Sequence, residues 1–180
     1  MIVVGRHLRW CAAVTTWACG AEETPRIENR VLGRDCAVGM PPVLTDSGVG
    51  ALRVGARVDE VQAVCDILHD TTLRRGREGM PERRITVVLG SMSTTATVAD
   101  RRVWRIEIAS PRFRTRDSLG VGTSVGTLRQ RGATLVVGED ANYALVPGHC
   151  GLSFQLRAGT GGPASVPDSA RVRMVLVTGC

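Results

Sequence analysis

At 180 residues the chain can bury one well-cored domain or two very small ones. Its formal net charge is +6, and all 23 basic residues are arginine, the bias of a GC-rich coding sequence. The arginines are spread along the chain, and after residue 20 the only aromatics are Trp104, Phe113, Tyr143 and Phe154. The clustered basic face with interleaved aromatics that a nucleic-acid binder needs is therefore missing.

The first twenty residues differ from the rest. Arg6 and Arg9 precede a modest apolar stretch from Trp10 to Ala18, small residues follow at Gly20 and Ala21, and no acid appears before Glu22. A basic start, a short apolar run and small residues near a cut site describe a secretory signal peptide, here residues 1–20. The run is shorter than the ~20 residues a spanning helix needs, and no later segment reaches that length. Cys19, followed by Gly20 and a polar, proline-containing stretch, resembles the start of a bacterial lipoprotein, although Thr16 and Trp17 depart from the usual lipobox. The expected location is the cell envelope or periplasm, with Cys19 as the lipidation site and a lipid anchor as the only membrane contact. The competing readings are a soluble secreted form and a cytosolic protein with a misassigned start codon.

Residues 21–47 are polar and irregular and contain Pro41-Pro42, which reads as a tether. Beyond it the chain repeats itself. Leu52-Arg-Val-Gly-Ala-Arg-Val-Asp-Glu-Val61 aligns without gaps on Leu119-Gly-Val-Gly-Thr-Ser-Val-Gly-Thr-Leu128, an offset of 67, and Arg102–Ile108 pairs with Arg171–Val177 at an offset of 69. Two similar offsets in the same order indicate an internal duplication, 48–110 and 117–180, within one domain spanning 48–180.

In chain order, Val58, Val61, Val64 and Leu68 recur at helical spacing after Gly55, with Asp59 and Glu60 in the first turn. Strands are expected at Ile85–Leu89, Ala96–Ala99 and Val103–Ala109, the last with Trp104, Ile106 and Ile108 on a buried face and Arg105 and Glu107 on the other. In the second copy Thr123 or Ser124 can cap a shorter helix through Leu128, followed by strands at Thr134–Val137, Tyr143–Val146, Leu152–Leu156 and Val172–Val177. Asp100-Arg101 and Pro147-Gly148 suggest hairpins. The expected fold class is α+β: two tandem helix-plus-antiparallel-meander repeats, with the helices packed on one face of the sheet.

The Leu-x-Val-Gly-x-x-Val-x-x-(Val/Leu) helix entry followed by a three-strand meander resembles the unit of small bacterial envelope proteins, namely SmpA/BamE-type assembly lipoproteins and tandem β-lactamase-inhibitor-like domains. The stretch Trp104-Arg-Ile-Glu-Ile-Ala-Ser-Pro-Arg-Phe-Arg-Thr, with Leu119-Gly-Val-Gly after it, also looks like uncharacterised lipoproteins of that type. The resemblance covers residues 48–180 and implies binding or scaffolding rather than a reaction. The insertion Ala158–Ala170 in the second copy departs from the pattern.

Once the signal segment and Cys19 are set aside, Cys36, Cys65, Cys150 and Cys180 remain, an even number suited to an oxidising compartment. Of the three pairings open to four cysteines, the expected one is Cys65–Cys150, tying the copies together, with Cys36–Cys180 fastening the tether to the final strand. No spacing is C-x-x-C, which disfavours a zinc ribbon. Neither a metal nor a cofactor is expected.

Three clusters carry conceivable chemistry. Gly122-Thr-Ser124-Val-Gly126 matches G-x-S-x-G, with Asp140 and His149 following in hydrolase order. The segment before it, Arg114–Ser118, is not the apolar strand that a nucleophile elbow requires, and the repeat explains Gly122 as the counterpart of Gly55. Asp66, His69, Asp70 and His149 are potential metal ligands, although His69 and Asp70 fall at a helix end entering a polar loop, where solvated polar residues are the norm. Arg112, Arg114 and Arg116 alternate around Phe113 between the copies; if extended, they present three guanidinium groups on one side, suited to a carboxylate- or phosphate-bearing partner. Arg74, Arg75 and Arg77 lie in a loop from Asp70 to Glu82.

The function expected is a non-enzymatic envelope protein that binds a macromolecular partner: an envelope protein, peptidoglycan or anionic lipid headgroups. The alternatives are a secreted inhibitor of a foreign enzyme and a small serine hydrolase using Ser124. The export reading predicts that the precursor is shortened and fractionates with the envelope. Intact-mass measurement on fractionated cells checks it, and a full-length cytosolic chain would remove its basis.

Overall fold

The structure is a computed structural model, which describes residues 33–37, 39, 43–74, 81–138, 140–156 and 162–180. The expected signal peptide, Cys19 and most of the tether lie outside the described residues, as do Arg75 and Arg77.

Runs of β-branched residues dominate the chain after residue 66. Val, Ile and Thr suit a pleated, half-buried surface better than a helix, and the elements follow that preference. A two-residue pair, β1 (Gly48–Val49) with β2 (Leu52–Arg53), precedes the helix α1 (Val58–Val64). Four strands follow: β3 (Ile67–Leu73), β4 (Glu82–Leu89), β5 (Met92–Ala99) and β6 (Arg102–Ile108). After a connector come α2 (Val125–Gln130), β7 (Thr134–Val137), β8 (Asn142–Leu145) and β9 (Leu152–Leu156). A 3-10 turn, Pro163–Ser165, then leads toward β10 (Val172–Val177).

Strands β3 to β10 form one eight-stranded antiparallel sheet in the order β3-β4-β5-β6-β10-β9-β8-β7. Two-residue turns set the first hairpins. Gly90 and Ser91 (φ 63° and 66°) close β4–β5, and Asp100 and Arg101 (φ 48° and 62°) close β5–β6. Both central residues of each turn are left-handed, the geometry whose twist matches the flanking strands. The halves of the sheet meet where β6 pairs with β10, through Ile108↔Val175, Glu107↔Leu176 and Ile106↔Val177.

The core lies on one side of this sheet. Ile85, Ala96, Ile106, Val177 and Leu152 form a cross-strand row over five strands, and all are buried. Burying each of the Ile, Val and Leu side chains of this row is worth about 1.5–3 kcal/mol. Val58 and Val61 of α1 and Val125 and Leu128 of α2 join the same cluster, together with Leu44 and Cys36 from the segment expected to be tether.

The protein is mostly β, which overturns the expected α+β class with helices layered on a sheet. The two helices are only 7 and 6 residues long and add two buried side chains each to the core. The helical spacing that included Leu68 fails because α1 ends at Val64, which is 52% exposed, and Cys65 is extended (φ −142°, ψ 160°). From Ile67 onward Thr71 and Thr72 favour pairing with β4, and a helix this short cannot sustain itself without packing.

Both helix entries use the same backbone bonds. Gly55 (φ 86°) donates to Val103 O at 2.7 Å, Val103 N to Ala56 O at 2.9 Å, and Arg102 Nη1 to Gly55 O at 2.7 Å. Gly122 (φ 88°) donates to Val172 O at 2.8 Å, Val172 N to Thr123 O at 2.9 Å, and Arg171 Nη1 to Gly122 O at 2.8 Å. A turn with φ near +90° is strained for any residue with a Cβ, so glycine is the economical choice at both positions.

The disulfides correct the expected pairing. Cys36 is bonded to Cys65 and Cys150 to Cys180, with Cα atoms 4.9 and 5.3 Å apart. Backbone contacts decide this. Cys36 N donates to Val88 O (2.9 Å) and Asp66 N to Arg34 O (3.1 Å), so residues 34–36 lie beside the end of α1. Thr178 N donates to Gly151 O (2.9 Å), which brings the end of β10 to Cys150. Two disulfides mark an oxidising, exported compartment. Among the described residues no helix is long and apolar enough to cross a membrane. Peptide mapping without reductant should recover the 36–65 and 150–180 pairs. Replacing Cys36 and Cys65 by serine should cost about 2–5 kcal/mol by urea unfolding. A recovered 65–150 peptide would overturn the connectivity.

Candidate functional site

The connector between β6 and α2, expected to present Arg112, Phe113, Arg114 and Arg116 together, is anchored rather than loose. Phe113 is buried and packs against Gly90, where an added Cβ would lie 2.5 Å from Phe113 Cζ. Arg114 folds back on its own loop: Nη1 donates to Ser118 O and Thr123 Oγ1 (both 3.2 Å) and Nη2 to Val121 O (2.9 Å). Its backbone carbonyl accepts from Leu44 N (2.8 Å), tying the connector to the incoming chain. Arg114 is therefore a clamp, and the expected three-arginine face reduces to Arg112 and Arg116. Both are exposed, and neither guanidinium bonds to a described residue.

Thr115 and Asp117, inside the same loop, lead to His149. Thr115 Oγ1 accepts from Leu119 N (2.9 Å) and donates to Asp117 Oδ1 (2.6 Å). His149 Nε2 lies 3.2 Å from Asp117 Oδ1, and its Nδ1 faces Asp46 Oδ1 at 3.6 Å. The ring stands edge-on to Phe154, with centroids 6.5 Å apart. Arg131 Nη1 lies 3.7 Å from Asp117. His149 thus joins three segments beside the Cys150–Cys180 bond. Burial alone would raise Asp117, but the bonds from Thr115 and His149 outweigh it and hold the carboxyl below the ordinary aspartate value.

The hydrolase residues are not brought together. Ser124 caps α2, its Oγ accepting from Thr127 N at 3.1 Å. Asp140 accepts from Tyr143 OH (2.8 Å) and lies 3.3 Å from Gln155 Nε2. His149 faces carboxylates, so no nucleophile–base pair forms among these three. The suggested ligands are also separated. Asp66 binds Arg34 and Asp70 binds Arg83 through two bonds each, while His69 projects from β3, a strand where a helix end was expected.

On the sheet face away from the core, sequence alternation misplaces one residue. A register shift between Thr97 and Val98 lets β6 bulge, so Trp104 is 39% exposed rather than buried, and its ring lies 4.9 Å from the Arg105 guanidinium. Arg105 is 7% exposed; Nη2 reaches Thr97 Oγ1 (3.3 Å) and Glu82 Oε1 (3.4 Å), and its Nε is buried without a partner. The alternating pattern hides the bulge, because one extra residue leaves polarity unchanged while shifting the facing.

The fold is similar to that of a crystal structure of YfeY, an uncharacterized protein from Escherichia coli. The TM-score is 0.56 at 16% identity, covering 75% of this chain and 98% of that one. At this identity the likeness concerns the fold alone. No protein-family model and no curated protein matches the chain.

Carboxylates held low make stability depend on pH in a fixed direction. Asp66 is lowered by the backbone and side-chain bonds of Arg34, Asp70 by its bond from Arg83, and Asp117 as above. Each binds its proton less tightly folded than unfolded. The stabilisation is complete above the unfolded carboxylate range, near pH 4, and is lost as pH falls through and below it. The urea midpoint should therefore hold from pH 7 to about 5 and fall below about 4, with a shallower fall in Asp66→Asn and Asp117→Asn. A midpoint that rises on acidification would contradict the assignment.

Proposed function

We propose that this is an exported, non-enzymatic cell-envelope protein that binds a macromolecular partner through the connector between β6 and α2. The partner is an envelope protein or an anionic envelope polymer: peptidoglycan or lipid headgroups. The observation that carries the reading is that the guanidinium groups of Arg112 and Arg116 have no partner among the described residues and are held on a loop that Phe113 and Arg114 pin to the core. Preorganisation matters because an arginine on a fixed loop loses less freedom on binding than one on a free chain. Guanidinium forks suit carboxylates and phosphates, the anions of those partners. The envelope-lipoprotein resemblance of the helix entries supports the same reading, and lipidation at Cys19 would hold the connector near the membrane.

The mature protein, tagged and cross-linked in envelope preparations, should capture a partner that mass spectrometry identifies. Arg112→Glu with Arg116→Glu should abolish that capture, as should raised salt. Because both side chains are exposed, the unfolding midpoint should stay within about 0.5 kcal/mol of the parent. Capture that ignores both charge reversals would sink the connector as the binding surface.

A further inference from the structure

A cleft on the first copy has an occupied counterpart on the second. It measures about 260 Å³ and is lined by Arg57, Val58, Asp59, Gln62, Arg83 and Arg101. One wall is α1 with its capping residue, β4 supplies Arg83, and the two-residue β5–β6 turn supplies Arg101. The turn is fixed to the helix, because Val58 N donates to Arg101 O at 2.9 Å. The arginines have donors to spare. Arg57 gives Nε and Nη2 to Asp59 (2.9 and 3.0 Å), and Arg83 gives Nε and Nη2 to Asp70 (3.0 and 2.6 Å). Each pair uses one side of the guanidinium fork and leaves Nη1 without a partner among the described residues. The Arg101 side chain has no partner among them either. Three forks against one lining carboxylate, Asp59, leave the cleft net positive. The helix end itself adds nothing, since Val58 N is taken and Asp59 and Glu60 stand in the first turn.

The second copy shows what such a place accepts. The 67-residue offset of the helix entries sets Asp59 against Gly126 and Gln62 against Arg129. The offset of 69, carried one residue back from Arg102, sets Arg101 against Ala170. The backbone agrees: Val125 N donates to Ala170 O (2.8 Å) as Val58 N does to Arg101 O. In the second copy the inserted segment covers the helix. Asp168 O accepts from Gly126 N (3.0 Å), and the Asp168 carboxylate pairs with Arg129. The first copy has a two-residue turn in place of that insertion, so the corresponding space is open. Ser124 and Ala170 stand where the first copy has Arg57 and Arg101, so the shared turn requires neither guanidinium.

We propose that this cleft binds a phosphate group, carried by a small phosphomonoester or by a lipid headgroup. A carboxylate satisfies one fork, as Asp168 does in the second copy, whereas three forks call for the three acceptor oxygens of a phosphate. The volume falls just below the roughly 300–1,000 Å³ of sites that enclose a whole drug-sized ligand, which suits the anionic group alone. Neither Arg112 nor Arg116 lines the cleft, so this site and the connector surface stand or fall separately.

The test has two arms, both with the mature protein at low ionic strength, where screening is weakest. Calorimetry measures the binding of glycerol phosphate, and co-sedimentation measures binding to phosphatidylcholine vesicles with and without phosphatidic acid. One equivalent of glycerol phosphate bound with no vesicle binding assigns a soluble ligand; sedimentation that needs phosphatidic acid assigns a headgroup. In whichever arm binds, Arg83→Gln and Arg101→Gln, each with parental circular dichroism, should weaken binding at least tenfold. Arg53→Gln, which removes the same charge outside the cleft, should not. Gln62→Arg, which installs the counterpart of Arg129, should tighten binding severalfold, a gain that misfolding does not imitate. Absence of binding in both arms overturns the site. Binding that the three cleft substitutions leave unchanged, or that Arg53→Gln weakens as much as Arg83→Gln and Arg101→Gln do, overturns it equally.

Discussion

The pairing of β6 with β10 is the constraint on which everything else hangs. Each half of the chain makes its own meander, and the Ile106↔Val177 to Ile108↔Val175 ladder makes the two into one sheet with a shared main core. It places Ile85 and Leu152, 67 residues apart, on a single row of buried side chains. The connector then runs from the end of β6 to α2, whose entry bonds to β10 through Gly122 N and Val172 O. Phe113, packed against Gly90, and Arg114, bonded to Ser118 O and Val121 O, hold it in place.

Much of the sheet could be read from the residues. The strands at Thr134–Val137, Leu152–Leu156 and Val172–Val177 carry apolar or β-branched runs bounded by turn residues, and they form where that pattern says. Gly55 and Gly122 stood out because a shared motif put glycine at the same step of both helix entries, and both adopt positive φ. The helix tail was misread because Val58, Val61, Val64 and Leu68 fit a helical period regardless of what Ile67–Leu73 pairs with. Only tertiary contact with β4 decides between the two readings. Trp104 was misplaced for a different reason: a bulge changes facing without leaving any trace in polarity.

The site was less legible than the fold. Asp46, Asp117 and His149 lie in three segments that no spacing rule connects, and they meet because the connector, the incoming chain and the β8–β9 turn are all held against one another. Arg114 looked like a hook for a partner, since an arginine that caps its own loop is indistinguishable in sequence from one that faces solvent. The cysteine pairing depended on backbone bonds at Val88 and Gly151, which are invisible before the sheet is built. What composition did supply was the environment: an even set of cysteines behind an export-like leader.

The connectivity of those cysteines bears on how the chain acquires its shape. Cys36 bonds to the next cysteine in the chain, Cys65, and Cys150 to the next, Cys180, each bond spanning 29 or 30 residues inside one half. A polypeptide emerging amino-end first into an oxidising space exposes its thiols in that order. An oxidase that joins each newly exposed thiol to the one before it therefore makes these bonds directly, with no non-native bridge for an isomerase to undo.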